Sequence, residues 1–357
     1  MNIVLFGIGG YGKTYLSLIE KYVDKKHKIV AGVDPYCCGE ELSFPVFESE
    51  DAFFDSGISA DLAIISTPVY CHKIQVVKCI DAGLDILCEK PVCALYEDAV
   101  FLSEYAKKKN TRLGIGFQLS FSDAILTLKN EIKNGVYGKP LSAKCYLSWQ
   151  RDRDYYLKSD WKGRLKRGDD FVLDSIISNA TAHYLHNIFF VLSSSPENYD
   201  FITARANDIE TFDACVIKGK LKNGADFYYS ALHCGDEYIE PVFEFEFENG
   251  TVYYNQNECD MLYSVMKDGE KKEYGALQSE CVTAQKIIKM LDGNVTCKVE
   301  DVLPHLKLCN EITMSNPPET FCKTRLINNV VTVDGICKKQ KMWYKTMQLP
   351  TKEELIK

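Results

Sequence analysis

The sequence predicts an α/β protein in two parts: a doubly wound parallel sheet first, then an α+β domain with a mostly antiparallel, open-faced sheet. Three observations predict this. Short apolar runs alternate with helical stretches over residues 1–118, the pattern of parallel strands joined by right-handed crossovers. A glycine-rich turn follows the first apolar run. From about residue 200 the pattern becomes a period-two alternation punctuated by Asn-Gly and Asp-Gly, which reads as antiparallel hairpins. The expected domains are 1–118 and 119–357, with the tail after about residue 316 left unassigned.

The first run, NIVLF at 2–6, is almost wholly apolar, as in a strand buried on both faces. GIGGYG follows. Gly7, Gly9 and Gly12 have the GxGxxG spacing, with Ile8, Gly10 and Tyr11 completing the loop. Tyr11, Tyr15, Leu18, Ile19 and Tyr22 then mark one face of a helix, and KIVAGV makes a second strand that ends at Asp34. Strand, glycine turn, helix, strand and acid in that order form the dinucleotide-binding, or Rossmann, fingerprint. Gly7 permits the turn, Gly9 the approach of a pyrophosphate, and Gly12 close helix–strand packing. The helix N-terminus offers N–H groups to phosphate oxygens. Asp34 is placed to accept ribose hydroxyls and to repel a 2′-phosphate, which favours NAD; Lys13 leaves NADP open.

The alternation continues through DLAIIS (61–66), a helix, LDILCEKP, a helix from Leu95 to Lys109, and RLGIGF (112–117). Thr67, Pro68, Glu89, Lys90, Pro91 and Gln118 all follow strand C-terminal ends, the edge at which such sheets bind ligands.

GIGGYG, STPVYCHKIQVVKCIDAGLDILCEKPVC, GFQLSF with LKNEIKNGVYGKPLSA, and DYYLKSDWKGRLKRGDDFVLD together resemble the glucose–fructose oxidoreductase, inositol dehydrogenase and rhizopine-catabolism (Gfo/Idh/MocA) family over roughly residues 1–195. The resemblance implies that Lys90 sits near the nicotinamide and touches the reacting hydroxyl, with Glu89 orienting it. His72 is expected to support the cofactor loop. In VLDSIISNATAHYLHNIFFVL (172–192) the family's histidine falls on His183 and its partner four before on Asn179, which on a helix would face the same side. Asp174 is the other candidate partner. His186 stands where the family often has an acid, although an ordinary core histidine is the simpler reading of it. Gly168 followed by Asp169 and Asp170 departs from the family's glycine cluster. Across 151–167, Tyr156 and Trp161, among Arg151, Arg153, Lys158, Arg164 and Arg167, suggest a wall for stacking on a sugar face.

In the second domain, FEFEFENGTVYY alternates Phe243, Phe245 and Phe247 with Glu244, Glu246 and Glu248, a strand with one apolar face. Asn249-Gly250, Asn223-Gly224 and Asp268-Gly269 read as type I′ hairpin turns. Two helices are expected near 278–291 and 300–315. Helices should cover one sheet face, and the other is a pairing surface for a homodimer or homotetramer, as in the family.

A formal net charge of −8 argues against a nucleic-acid or anionic-membrane partner. The 15 cysteines include no CxxC pair and no zinc spacing; with no signal-like start, they read as core thiols of a cytoplasmic protein. No metal is expected. The combined expectation is an NAD(P)-dependent dehydrogenase of a sugar, cyclitol or polyol. Lys90 and His183 would converge on one nicotinamide and handle the hydroxyl proton. Two alternatives stay open: a glycosidase that uses NAD for transient oxidation, and a non-catalytic nucleotide-binding regulator.

Overall fold

The computed structural model describes residues 1–37, 39, 41–315 and 317–357; Cys38, Glu40 and Asn316, where the unassigned tail begins, lie outside the described residues. The chain divides into two compact units, Met1–Ser122 with Gln278–Leu303, and Asp123–Leu277 with Pro304–Lys357.

The first unit opens with β1 (Asn2–Phe6), α1 (Gly12–Tyr22), β2 (Lys28–Val33), β3 (Val46–Phe47), α2 (Glu50–Asp55), β4 (Leu62–Ile65), α3 (Val69–Asp81), β5 (Asp85–Cys88), α4 (Tyr96–Lys109) and β6 (Leu113–Ile115). These strands form one parallel six-stranded sheet in the order β3-β2-β1-β4-β5-β6, the doubly wound arrangement the sequence predicts. Ile3 to Phe6 and Leu62 to Ile65 are wholly buried, because helices cover both faces of the central strands. The strand order reverses between β1 and β4, so the glycine turn and Thr67 flank the switch point.

The next elements are α5 (Asp123–Lys133), β7 (Pro140–Ser148), α6 (Arg153–Leu157), β8 (Lys166–Arg167), β9 (Asp170–Phe171), α7 (Ala182–Val191), β10 (Pro196–Arg205), β11 (Ala214–Leu221), β12 (Asp226–Leu232), β13 (Ile239–Phe247), β14 (Gly250–Asn255), β15 (Cys259–Met266) and β16 (Lys271–Gly275). Then come α8 (Glu280–Leu291), α9 (Val299–Thr313), β17 (Glu319–Thr320), β18 (Arg325–Ile327), β19 (Val330–Thr332), α10 (Ile336–Thr346) and α11 (Lys352–Ile356). The second unit is built on a nine-stranded sheet, β16-β15-β14-β13-β7-β12-β11-β10-β17. Its neighbours are antiparallel except β7 with β12 and β10 with β17. Phe243, Phe245 and Phe247 are buried on one face while the intervening glutamates turn to the other.

Four expectations are corrected. Residues 278–303 return to the first unit instead of staying in the second; the backbone N–H of Ile115 donates to the Cys297 carbonyl (2.9 Å), and Lys286 of α8 pairs with Glu89. The first boundary falls after Ser122 and not after 118, because the 3₁₀ turn Gln118–Phe121 stays with the parallel sheet's unit. The hairpin turns are not type I′. At Asn223-Gly224 and Asp268-Gly269 only the glycine has positive φ (89° and 91°), and the Gly224 and Gly269 N–H groups bond back three residues to Leu221 and Met266; these are type I turns closed by a glycine bulge. Neither Asn249 nor Gly250 has a positive φ, although β13 and β14 pair across them. Lastly, the tail is ordered structure on the far side of the large sheet. Trp343 and Tyr344 of α10 join Tyr228, Leu232, Ala214, Val216 and Ala204 in one apolar cluster. The face expected to be open for a second copy is therefore covered over β7, β12, β11 and β10 and the start of β13, where Ile239 and Val242 join the cluster.

Candidate active site

At the end of β1 the glycines meet the demands of their positions. Gly7 has φ +79°, and a Cβ there would lie 2.9 Å from the backbone of Ser66 and Thr67. A Cβ on Gly12 would lie 1.9 Å from the Gly7 carbonyl oxygen, so only glycine lets α1 start this close to β1. Asp34 closes the turn from β2. Its Oδ2 accepts the N–H groups of Ile8 (2.9 Å) and Gly9 (3.0 Å), and Oδ1 accepts that of Tyr36 (2.9 Å). Burial raises its pKa, but the N–H groups of Gly9, Tyr36 and Ile8 outweigh burial and hold it below the ordinary value of 3.8. Thus the acid expected to meet a ribose also ties the glycine loop to the second strand. Gly10 and Tyr11 complete the loop, and Tyr11 is the residue before α1. A tight glycine turn, a helix N-terminus and an anionic side chain beyond them fit a dinucleotide: amides for its phosphates, a carboxylate for its ribose.

Glu89, Lys90 and Pro91 follow β5 directly. Glu89 is clamped from several sides. Tyr15 O–H donates to its Oε1 (2.7 Å), the Lys286 ammonium of α8 donates to the same oxygen, and the Lys90 N–H donates to Oε2 (3.2 Å). The Lys286 side chain is fully buried, above the rings of Tyr11 and Tyr15 at 5.0 and 4.7 Å. Burial alone would raise the pKa of Glu89; the adjacent Lys286 charge, with the hydrogen bonds from Lys286 and Tyr15, reverses the direction and keeps the carboxyl ionised. Gly116 makes room for it, since a Cβ there would sit 2.9 Å from the Glu89 carboxyl carbon. His72 lies between two loops, with Nδ1 2.8 Å from the Pro91 carbonyl and Nε2 2.7 Å from that of Thr67. Burial lowers its pKa despite those two carbonyls. Thr67 Oγ1 bonds Gln75 (2.5 Å), Pro68 starts α3, and Gln118 follows β6. The first unit therefore brings all of its sequence-predicted residues to one end of the sheet.

Strand order, glycine turn and acid define a dinucleotide-binding α/β protein. Residues 1–117 match the family model GFO_IDH_MocA, described as "Oxidoreductase family, NAD-binding Rossmann fold". Over 206 residues the chain is 25% identical to 2,7-anhydro-N-acetylneuraminate hydratase of Escherichia coli, covering 57% of this chain and 52% of that protein. It is 21% identical over 255 residues to glucose-6-phosphate 3-dehydrogenase of Bacillus subtilis, covering 64% and 70%. The chain thus spans about half the length of the first of these relatives. The fold is similar to that of the WlbA dehydrogenase from Bordetella pertussis in complex with NADH and UDP-GlcNAcA, with a TM-score of 0.73 at 20% identity over 88% of this chain and 95% of that one.

In the second unit, His183 is half-buried in the first turn of α7, whose remaining residues are all buried. Asn179 is not on that helix, as the four-residue spacing suggested. It lies in the preceding turn, and its Nδ2 donates to Asp174 Oδ1 (2.7 Å). The two candidate partners of the histidine are thus bonded to each other. Asp174 is buried, and its Oδ2 also accepts the Gly163 N–H (2.6 Å). His186, standing where the family often has an acid, belongs to the core: its ring is 5.5 Å from Phe190 and 6.2 Å from His305. Burial, with the charges of His305 and Lys129, drives its pKa far down. Only the first turn of α7 is partly exposed, and His186 is one turn too deep.

Tyr156 of α6 does join a cluster, although the sequence did not indicate its partner. Its hydroxyl lies 2.8 Å from Nδ1 of the buried His233, with Tyr155 edge-on to both rings. Trp161 makes no ring contact with this group among the described residues; it is half-buried in the turn closed by the Arg164 N–H on its carbonyl (3.2 Å). Nothing in ALHCGD marks His233 in advance. Lys286 did carry a signal, for it stands four residues after Val282 and four before Met290 on the apolar stripe of α8.

Proposed function

We propose that this protein is an NAD-dependent dehydrogenase acting on a secondary hydroxyl of a sugar or closely related polyol. The observation that carries the reading is the fixed placement of Lys90 at the carboxyl end of β5, beside a Glu89 whose charge is held by Lys286 and Tyr15. NAD, when bound, supplies the hydride acceptor. The glycine turn and Asp34 hold the dinucleotide, and the Asp34 carboxylate selects against a 2′-phosphate. Lys90 hydrogen-bonds the reacting hydroxyl and steadies the charge that develops on its oxygen. His183, partly exposed at the start of α7, is the proton acceptor, with the Asp174–Asn179 pair fixing the turn ahead of it. The relatives named for a sugar phosphate and a neuraminate derivative support a carbohydrate substrate.

The test is a panel of sugars, polyols and their acids with NAD, read by NADH fluorescence. Lys90→Ala should cut turnover by about 10²–10³-fold, the usual cost of removing a donor that stabilises charge developing on an oxygen, while the Kd for NAD changes only a few-fold. Undiminished turnover in that variant refutes the assignment. A second reading has one observation in its favour: the first relative is named as a hydratase, a reaction without net redox change. On that reading NAD oxidises the sugar transiently and no NADH accumulates. Release of aryl alcohol from an aryl glycoside, dependent on NAD but without NADH, separates the two.

A further inference from the structure

We propose that the second unit carries a subsite for the anionic group of an acidic sugar, a carboxylate or a phosphate, formed by Arg151 and Lys162 around the ring of Tyr155. This deepens the dehydrogenase reading and rests on it for the identity of the ligand as a sugar.

The argument begins with charge pairing. On the same stretch, Arg164 bonds Glu210 (2.8 Å) and Arg167 bonds Asp160 (2.7 Å). Among the described residues Arg151, Arg153, Lys158, Lys162 and Lys166 have no carboxylate oxygen within 4.0 Å, and of these only Arg151 and Lys162 are partly buried. The nearby acids are engaged with the chain itself. Asp152 caps α6 through the Tyr155 N–H (2.7 Å), and Asp174 accepts from Gly163 and Asn179. Arg153, Lys158 and Lys166 are exposed and solvated, whereas Arg151 and Lys162 are held partly out of water with no carboxylate against them among the described residues.

Their geometry points to a ligand. The Arg151 guanidinium lies 5.1 Å and the Lys162 ammonium 4.0 Å from the centre of the Tyr155 ring. The Arg151 guanidinium is also 5.8 Å from the Trp149 ring, while its Nε is buried without an acceptor. A buried donor of this kind is normally satisfied, and a planar guanidinium is suited to two oxygens of a carboxylate or phosphate. Burial, followed by the opposing pull of Asp174, leaves the Lys162 pKa below its ordinary value, so an arriving anion would meet a cation already partly stripped of water. Behind Tyr155, the Tyr156–His233 hydrogen bond fixes the aromatic wall, and burial keeps His233 neutral. The charge offered to a ligand is therefore that of Arg151 and Lys162, beside rings of the kind on which sugar faces stack.

The test is calorimetric binding to the full chain saturated with NAD, using glucuronate, N-acetylneuraminate and glucose 6-phosphate, with glucose as the neutral probe. At least one acidic sugar should bind about tenfold or more tightly than glucose. Arg151→Met and Lys162→Met should each remove most of that preference, and Arg151→Lys should restore part of it. Whether carboxylate or phosphate probes bind identifies the group. The proposal is overturned if no acidic probe is preferred, or if the preference survives both methionine substitutions. Lys162→Met, at a half-buried position, keeps the test decisive should Arg151→Met fail to fold. Parallel NADH measurements separate the two claims. A preference that depends on Arg151 and Lys162, with no NADH from any probe, leaves the subsite standing and removes the dehydrogenase; NADH from glucose, with acidic probes no better, does the reverse.

Discussion

The two units treat buried cationic charge in opposite ways. In the first, Lys286 is wholly enclosed and fully partnered: Glu89 takes its charge, and the rings of Tyr11 and Tyr15 face its ammonium at 5.0 and 4.7 Å. In the second, Arg151 and Lys162 are only partly enclosed and have aromatic neighbours but, among the described residues, no carboxylate oxygen within 4.0 Å. The difference separates scaffolding from recognition. A buried pair satisfied from within can fix a loop, here the one that carries Lys90, but has nothing left to offer a ligand. Partly buried cations with no carboxylate against them cost stability and keep their charge available.

The largest test of this contrast is Lys286→Met. It leaves the Glu89 carboxylate buried beside apolar atoms, and removing one member of a buried pair typically costs about 3–5 kcal/mol. Urea unfolding should show a loss of that size. The double variant Lys286→Met with Glu89→Gln should recover much of it, because no charge is then stranded. A loss below about 1 kcal/mol in the single variant would mean that the pair behaves like a surface ion pair, and the contrast would collapse.

The same contrast governs what the sequence revealed. Gly7, Gly12 and Asp34 all fall within one strand–helix–strand unit, where the local backbone fixes their geometry, and their spacing alone conveyed their arrangement. The Lys90 segment was legible for the same reason: a strand ends and its next residues must stand on the ligand edge. Lys286 was half legible. Its place on an apolar stripe marks it as a lysine needing a buried partner, but the partner is 197 residues away, and no local pattern reports that. The turn before α7 misled through local competition. Ser178 Oγ accepts the Ser175 N–H (2.9 Å) and donates to the Leu173 carbonyl (2.8 Å), and Leu173 has φ +45°. Such side-chain bonds hold the backbone out of a helix, so Asn179 swings to Asp174. His233 and the tail helix α10 were not legible, because both are placed by contacts with distant strands.

A smaller effect is expected at Asp34, another internally satisfied charge of the first unit. Its pKa is lower folded than unfolded, so the folded state binds the proton less readily. The carboxylate's contribution is therefore fully present above its unfolded value near 3.8 and is lost as pH falls through the lower folded value. Asp34→Asn should cost about 1–2 kcal/mol at pH 7, from weakened hydrogen bonds to the Ile8 and Gly9 amides. The gap between variant and wild type should stay level down to about pH 5 and close in more acid solution. A gap that is unchanged at pH 2 would mean that the side chain's shape, and not its charge, holds the loop. Asp34→Ala should also weaken NAD more than NADP, which a pair of binding titrations would show.

The smallest expected change sharpens the contrast most. Arg151→Met strands no carboxylate within 4.0 Å among the described residues; the protein loses the ring contacts, about 0.5–1 kcal/mol for partly exposed cation–aromatic pairs, and the long hydrogen bond from Nη1 to the Gln150 carbonyl (3.5 Å), offset by relief of the unsatisfied Nε donor. Urea midpoints of variant and wild type without ligand should therefore differ by less than about 1 kcal/mol, and the variant could gain stability. A loss of about 3 kcal/mol or more would show that Arg151 has a partner inside the protein. Its charge would then be structural, like that of Lys286, and no longer available to an acidic sugar.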